Sequence, residues 1–326
     1  MKWFAESLRQ AGLRAAPAGN YGFAASEVAR ARRDLDWAVL EVSSFQLETV
    51  ERFRAEVGIM LNVLPNHLDR HGDVAAYRRL KARLFAATTP GDWCVAPEAD
   101  ADAMKRLSGG RGQWITFGAS GAACYRYEGG RVYRGDEEAA DFSGTYFANE
   151  VYGLAAAAVT AGLRACGVDS EAAVRAARAF SPLPHSMQFV REIGGVRYVN
   201  DSKATNLAAM SAALRMIPGG ARLIAGGLVK EKDFGAVKEV LVRKVTGVYL
   251  IGKAEEEMAS AWAPAAPCFR CGKLETAVRR ASADAQPGET VLLSPGCASF
   301  DQFRNFEERG QRFIEIVATL AEEKEE

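Results

Sequence analysis

The stretch VNDSKATN, residues 199–206, lies between an apolar strand and a helix and sets the pattern of the second half of the chain. This strand-to-helix turn carries a carboxylate (Asp201), an ammonium (Lys203) and a hydroxyl (Thr205). At such a turn, backbone N–H groups and the positive end of the helix dipole attract anions. The same residue types also cap helices without any ligand. This stretch alone therefore leaves two interpretations open, anion binding and plain helix capping.

From residue 187 onward, strands and helices alternate regularly. Apolar patterns typical of strands occupy residues 187–199 (a hairpin about two glycines), 222–225, 248–251, 268–269 and 290–293. Helical spacing of apolar residues occupies residues 207–217, 234–245, 255–262, 273–285 and 303–320. This alternation predicts an α/β fold with a parallel, Rossmann-like sheet.

The segment SPLPHS, residues 181–186, separates this pattern from the first half of the chain. Proline cannot continue a helix or a central strand, so two prolines in a short segment favour a linker. A chain of 326 residues is also long for a single core. We therefore predict two domains, residues 1–182 and residues 183–326.

Polar side chains follow two predicted strands of the first half. Glu41 ends a buried strand pattern at residues 37–40, and His67 and Asp69 follow another at residues 57–63. Ligands bind at the carboxyl ends of strands in open α/β sheets, and a carboxylate there is costly unless it meets a cation. A magnesium ligand is the sharper interpretation of Glu41, and a capping or surface glutamate is the alternative.

Two helical patterns in the first half bear on the site and on the completeness of the fold. A helix predicted at residues 74–85 carries Lys81, which spacing alone does not distinguish from the cations of a solvated face. The chain opens directly on a helix with Trp3 and Leu8 on its apolar stripe. An α/β domain that starts without a strand is unusual, so we expect that its first element is missing.

Composition narrows the class of protein. The chain is 48% hydrophobic and 25% charged, as is typical of soluble globular proteins. Its 41 basic and 41 acidic residues cancel, so charge favours neither nucleic acid nor an anionic membrane as a partner. Neither a membrane span nor a signal peptide is recognisable, and the scattered cysteines suggest reduced thiols. We therefore predict a cytoplasmic protein, and we expect little redox or zinc chemistry from the lone pair Cys268 and Cys271.

One apparent phosphate-binding motif is a decoy. Residues 247–253, GVYLIGK, formally match GxxxxGK, but the residues between the glycines are an apolar strand pattern and Ala254 replaces the required hydroxyl. We predict that this segment is a strand and does not bind phosphate.

Seven stretches together resemble the Mur ligase family, and they follow one another in family order. They are EVSSFQLE (41–48), LNVLPNHLDRH (61–71), YRRLKARLF (77–85), LPH (183–185), VNDSKATN (199–206), GGLVKEKDF (226–234) and LLSPGCASFDQFRNFEERG (292–310). The resemblance implies a truncated central ATPase-type domain of parallel strands, followed by a Rossmann-like C-terminal domain. It is strongest to the members that add D-glutamate.

The resemblance implies an enzyme that uses ATP and Mg²⁺ to join D-glutamate to UDP-N-acetylmuramoyl-L-alanine in peptidoglycan synthesis. ATP first phosphorylates the substrate carboxylate, and the amine of D-glutamate then displaces phosphate from the acyl phosphate. Glu41, His67 and Lys81 match the catalytic and metal-site residues of the family, with Lys81 at the place of a carbamylated lysine. We expect a monomer.

The remaining site residues are also carried over from the resemblance. The residues that match nucleotide-binding positions are Asp201, Lys203 and Asn149. The residues that match substrate-binding positions are Asn20, Ser43, Gln46, Thr205, Lys230, Ser299 and Phe306. Of these, Lys230, Ser299 and Phe306 match positions that hold D-glutamate.

The sequence departs from the family pattern in ways that bear on activity. The phosphate-binding loop and the UDP-binding domain are absent from the printed chain. Ser186 stands where an arginine is usual, Asn66 where an acidic residue is common, and residues 144–149 replace a His-Asn pair. We therefore expect this polypeptide alone to be inactive or nearly so. The alternatives are a ligase for another amino acid, of the Mur or folylpolyglutamate type, and a ligand-binding protein that has lost catalysis.

Overall fold

The computed structural model describes residues 1–20, 22–31, 34–64, 68–229 and 233–325. Its internal contacts divide the chain into two compact units, Met1–Phe180 and Ser181–Glu326. Each unit has its own sheets and its own apolar core. Within the described residues, no helix has the length and apolar character needed to cross a bilayer.

The first unit contains eight strands and eight α-helices among its described residues. The strands are β1 (Ala15–Gly19), β2 (Trp37–Glu41), β3 (Val57–Ile59), β4 (Trp93–Pro97), β5 (Gln113–Gly118), β6 (Tyr125–Glu128), β7 (Arg131–Arg134) and β8 (Glu137–Asp141). The helices are α1 (Lys2–Gln10), α2 (Ala25–Ala31), α3 (Ser44–Thr49), α4 (Leu68–His71), α5 (Val74–Ala82), α6 (Glu98–Ser108), α7 (Glu150–Ala165) and α8 (Glu171–Arg178).

Strands of the first unit form one large sheet and one small one. The large sheet has the order β3-β4-β5-β6-β7-β8, parallel as far as β6 and antiparallel beyond it. β1 and β2 form a separate parallel pair. Helix α1 packs on this pair and on α7 and α8, because its apolar face carries Trp3 and Leu8. Trp3 stacks on Phe147 and its indole N–H donates to the Ala173 carbonyl at 3.0 Å.

Two predictions for the first unit need correction. Residues 37–40 do form a strand, but it is not buried: Leu40 is 37% exposed and the neighbouring positions are at most half-buried. The physical reason is that, among the described residues, β2 pairs with β1 only, so this two-stranded sheet leaves most of the strand uncovered. The strand predicted at residues 57–63 ends at Ile59: the Met60 N–H still donates to the Val95 carbonyl of β4 at 2.9 Å, but the ladder to β4 does not continue further among the described residues.

The second unit contains six strands and five α-helices in the part of the chain that is described. The strands are β9 (Gln188–Ile193), β10 (Val196–Asn200), β11 (Ala221–Gly226), β12 (Val245–Ile251), β13 (Cys268–Gly272) and β14 (Thr290–Leu293). The helices are α9 (Leu207–Met216), α10 (Lys238–Lys244), α11 (Glu255–Trp262), α12 (Leu274–Asp284) and α13 (Phe306–Glu325).

These strands form one sheet in the order β13-β12-β11-β14-β10-β9. All neighbours are parallel except the β9–β10 hairpin, as the alternating pattern predicts. Apolar side chains from both faces of the sheet lie in two separate core clusters. β12 is a buried strand, so the decoy segment is confirmed as a strand. Two helices differ from their predictions by more than two residues: residues 234–245 begin with a 3-10 turn, so that α10 starts only at Lys238, and the helix predicted at residues 303–320 is Phe306–Glu325.

Candidate functional site

Asp201 follows β10 directly and is buried at the carboxyl edge of the sheet of the second unit. β10 and β14 are parallel, and Asn200 pairs with Leu293, so the residues after the two strands meet. Ser294 Oγ donates a hydrogen bond of 2.8 Å to Asp201 Oδ2, and the Met187 N–H donates one of 3.0 Å to Oδ1. Both oxygens of the carboxylate are therefore held in place.

Burial also changes the acidity of this group. Removal from water raises the pKa of Asp201 to about 7, because the charged form loses its hydration. The hydrogen bonds from Ser294 and Met187 and the charge of Lys203 lower the pKa, but burial dominates. Near neutral pH both the protonated and the ionised form of the carboxyl are therefore populated.

In the turn after β10, the residue that caps the next helix is different from the candidate binding residues. Asn206 is the N-cap of α9, and its Oδ1 accepts from the Ala209 N–H at 2.7 Å. Lys203 is exposed and Thr205 is half-buried between the strand and the helix. The capping interpretation of this turn therefore applies to Asn206, and the Asp201 side chain bonds elsewhere.

His185 supports this turn from the linker side of the second unit. Its carbonyl accepts from the Lys203 N–H at 2.9 Å, and its Nδ1 lies 3.0 Å from Asn200 Nδ2. The amide nitrogen can only donate, so Nδ1 must accept, and the neutral ring carries its proton on Nε2. Burial lowers the pKa of His185 and Glu307 opposes this, which favours the neutral ring. Asn200 also donates to the Gly310 carbonyl at 3.2 Å and thereby joins the turn to α13.

Ser299 lies in the loop after β14 and is only 2% exposed. Two backbone hydrogen bonds, of 2.8 and 3.1 Å, join Ala298 in this loop to Leu228, which lies just after the end of β11. Gly227 allows this close approach: its φ is +132°, and a Cβ there would lie 2.3 Å from the Ala298 carbonyl oxygen. Lys230, three residues further along, lies outside the described residues.

Phe306 begins α13 and completes this edge of the sheet. Its carbonyl accepts from Ser202 Oγ at 2.8 Å, and its ring lies edge-on to His185 with centroids 6.5 Å apart. The structure thus brings together the turn after β10, the loop after β14 and the start of α13. These segments carry Asp201, Lys203, Thr205, Ser299 and Phe306.

Two predicted residues of the first unit meet at the ends of β1 and β2. Asn20 Nδ2 donates to Glu41 Oε1 at 3.1 Å, and the Asn20 N–H donates to the Glu41 carbonyl at 2.8 Å. Gly19 makes this contact possible, because its φ is +108° and a Cβ would lie 2.4 Å from the Glu41 carbonyl oxygen. Glu41 is therefore oriented by its neighbour rather than free at the surface, although it remains exposed.

Lys81 on α5 is electrostatically coupled to this carboxylate. Its amine is partly buried, which lowers its pKa, and the charge of Glu41 raises the pKa to a smaller extent. Lys81 Nζ lies 5.6 Å from the centre of the Tyr77 ring, a cation–π distance. Hydrogen bonds thus join Asn20 to Glu41, and Lys81 is near enough to Glu41 for the carboxylate charge to affect its pKa.

The predicted metal set cannot be assembled from the described residues. His67 lies outside them, and within them no three His, Cys, Asp or Glu side chains are grouped so as to hold a metal ion. Glu41 and Lys81 are the members of the set that the structure places.

Three further candidates have local structural roles. Asn149 is the N-cap of α7: its Oδ1 accepts from the Val151 and Tyr152 N–H groups, and its Nδ2 donates to a carbonyl. Ser43 and Gln46 form a capping box at the start of α3. These contacts explain the residues without a ligand, so their nucleotide and substrate roles stay predictions.

Three residues at the candidate site of the second unit were not predicted from the sequence. Asn200, Ser294 and Arg309 are almost fully buried there and hold Asp201 or its turn. Two signals could have found them: Asn200 and Ser294 are polar residues directly at strand ends, and Arg309 lies on the apolar side of a helical pattern.

Solved structures share this fold at low sequence identity. The MurF ligase from Thermotoga maritima in complex with ADP has a TM-score of 0.71 and 17% identity, covering 99% of this chain and 78% of its own. E. coli FolC in complex with DHPP and ADP has a TM-score of 0.65 and 19% identity, covering 98% of this chain and 85% of its own. The fold is thus that of α/β ligases with a central ATPase-type domain and a C-terminal domain.

Sequence comparison assigns the family. Residues 22–151 match the Mur ligase middle domain, and residues 187–297 match the glutamate ligase domain of Mur ligases. UDP-N-acetylmuramoylalanine–D-glutamate ligases from Acidobacterium capsulatum and Solibacter usitatus are 39% and 38% identical to this chain. The matches cover 92% and 96% of this chain, and 67% and 71% of those enzymes.

The two domain matches and the relatives named as ligases indicate an ATP-dependent ligase that acts on amino acids. The chain belongs to the Mur ligase family.

Proposed function

We propose that this chain carries the amino-acid-binding part of a ligase that joins D-glutamate to UDP-N-acetylmuramoyl-L-alanine in peptidoglycan synthesis. The observation that carries the proposal is 39% identity, across 92% of the chain, to an enzyme named as a D-glutamate ligase. ATP first transfers its terminal phosphoryl group to the substrate carboxylate. The amine of D-glutamate then attacks the acyl carbon, the bond to the phosphate oxygen breaks, and the amine loses a proton as phosphate leaves.

The second unit supplies the contacts proposed for D-glutamate and the nucleotide. Lys203 is exposed beside the buried Asp201, so an ammonium and a carboxyl that ionises near neutral pH face the same turn. Asp201 and Lys203 are assigned to the nucleotide. Thr205, Ser299 and Phe306, together with Lys230, are assigned to D-glutamate, whose carboxylates suit a cation and hydroxyl donors.

Glu41, Lys81 and His67 are assigned to the phosphoryl-transfer site in the first unit. Lys81 would react with CO₂ to form a carbamate: the N–C bond forms and the amine loses a proton. Partial burial supports this step because it lowers the pKa of the amine and so increases the neutral, nucleophilic fraction. A carboxylate and a carbamate are the oxygen donors that Mg²⁺ prefers. When bound there, Mg²⁺ would neutralise charge that develops on the transferring phosphoryl group.

Calorimetry with a panel of amino acids tests the specificity. The chain is titrated with D-glutamate, L-glutamate and a diamino acid, each in the presence of Mg²⁺ and ADP. We expect heat of binding from D-glutamate and at least about tenfold weaker binding of the other two, since the enantiomer cannot place both carboxylates on the same donors. Preference for a diamino acid would contradict the proposal in favour of another ligase of the family.

Turnover by this polypeptide is a separate expectation. The printed residues contain no GxxxxGK[ST] segment, which would hold the β- and γ-phosphates and a magnesium ligand. ADP release from ATP, UDP-N-acetylmuramoyl-L-alanine and D-glutamate should therefore stay at background for these 326 residues. Robust release would show that the phosphates are held in some other way.

A further inference from the structure

Arg309 is a fully buried cation on α13. None of its surface is exposed, and its guanidinium donates to neutral oxygens of two other segments. Nε donates to Ser202 Oγ at 2.9 Å, and one terminal nitrogen donates to the Ser202 carbonyl at 2.9 Å. Both terminal nitrogens donate to the Cys297 carbonyl at 3.1 Å. The planar group thus spans the turn after β10 and the loop after β14.

The described residues offer this cation no carboxylate within 4.0 Å. The charges of Cys297 and Asp301 raise the pKa of Arg309, but to a smaller extent than burial lowers it. Burial accordingly lowers the pKa of Arg309 to about 10. A buried charge without a counter-charge is costly, and an apolar side chain of similar volume would often be more stable. The side chain therefore needs an explanation other than stability.

Each segment that Arg309 joins carries a residue assigned to the ligand. The Ser202 carbonyl immediately precedes Lys203, and the Cys297 carbonyl is two residues before Ser299. Ser202 Oγ, which accepts from Arg309 Nε, also donates to the carbonyl of Phe306. The guanidinium therefore adds a buried bridge among three segments that single hydrogen bonds also join in pairs: Ser294 Oγ to Asp201, the Gly296 N–H to the Ala204 carbonyl, and Asn200 to the Gly310 carbonyl.

We propose that Arg309 is a positioning residue, which holds the turn after β10, the loop after β14 and the start of α13 in the arrangement that binds the amino-acid substrate. The proposal rests on the proposed function for the nature of that substrate. Its planar fork carries the role, because Nε and both terminal nitrogens together make four hydrogen bonds to Ser202 and Cys297, and an ammonium lacks this spread of donors in one plane.

The test compares Arg309→Met, Arg309→Lys and a matched control, Arg222→Met. Arg222 lies in the same unit at the opposite end of the sheet, where it pairs with Glu289 at 2.9 Å. Amide hydrogen exchange is measured without ligand on peptides covering residues 200–205 and 294–300, with β12 as the internal reference. D-glutamate affinity is then measured by calorimetry for each variant with Mg²⁺ and ADP.

We expect exchange in both peptides to become about tenfold faster in Arg309→Met and Arg309→Lys, while β12 is unchanged. We also expect D-glutamate binding to weaken about tenfold or more in both variants, and in neither respect should Arg222→Met differ from the unaltered chain. Unchanged exchange overturns the proposal, as does faster exchange with unchanged affinity, which is what a merely structural role predicts. An Arg309→Lys variant that behaves like the unaltered chain would assign the effect to charge and would also overturn it.

Failure of the proposed function is distinguishable from failure of this inference. If the unaltered chain does not bind D-glutamate, the substrate assignment is wrong. The exchange measurement still decides whether Arg309 holds the two segments together.

Discussion

Ionisation of Asp201 links the candidate site to the stability of the second unit. Its pKa in the folded chain is about 7, above the ordinary 3.8 expected in the unfolded chain. The unfolded state therefore loses this proton at lower pH than the folded state does. The stability that the protonated group contributes is complete below pH 3.8 and is lost as the pH rises through about 7.

Replacement of Asp201 by Asn should remove this pH dependence. Between pH 5 and pH 8 we expect the unfolding free energy of the unaltered chain to fall more than that of Asp201→Asn, because the amide cannot ionise. Urea unfolding at the two pH values measures the difference, with Ser294→Ala as a companion variant that removes a donor to the carboxylate. Parallel pH dependence in Asp201→Asn and the unaltered chain would contradict the buried-acid account.

Lys81 offers a test by spectroscopy at the other candidate site. In buffer containing ¹³C-bicarbonate, the chain should show a carbamate carbonyl resonance that increases with pH, because only the neutral amine reacts. Lys81→Arg is the matched variant, since it keeps the charge and cannot form the carbamate. A resonance that persists in Lys81→Arg would assign the carbamate to another amine.

Asn149 caps the N-terminus of α7 and should stabilise that helix. Asn149→Ala should lower the unfolding free energy by about 1 kcal/mol, the usual cost of losing a cap, because two backbone N–H groups lose their acceptor. Asn149→Asp keeps the acceptor and should stay within a few tenths of a kcal/mol. Chemical denaturation measures both variants. Equal destabilisation of the two would show that capping does not account for this residue.

Periodicity predicted most elements of the second unit, because its strands are continuous apolar runs and its helices have clear stripes. In the first unit, periodicity did not predict β1, because its residues 15–19 read AAPAG and have little strand propensity. That strand forms because it pairs in register with β2, which a local pattern cannot indicate. The prediction that β2 is buried was wrong for a related reason: the burial of a strand depends on which other strands and helices pack against it, and a local pattern does not show this.

The sequence indicates candidate site residues at strand ends but not the distant residues that support them. Polar residues at strand ends located Asp201, Lys203 and Glu41, because parallel strands bring their carboxyl ends to one edge. The contacts that support them come from distant segments, as when Arg309 reaches Ser202, and no spacing rule connects residues so far apart in the chain. The domain limits and the roles of individual site residues therefore stay predictions.

If the proposed function is right, the carboxyl edge of the second unit's sheet binds D-glutamate. ¹⁵N-labelled chain titrated with D-glutamate tests this most directly. The amide resonances of Lys203, Thr205, Ser299 and Phe306 should shift together with one dissociation constant, and L-glutamate should leave them in place. Shifts confined to other parts of the chain, or none at saturating D-glutamate, would contradict the account.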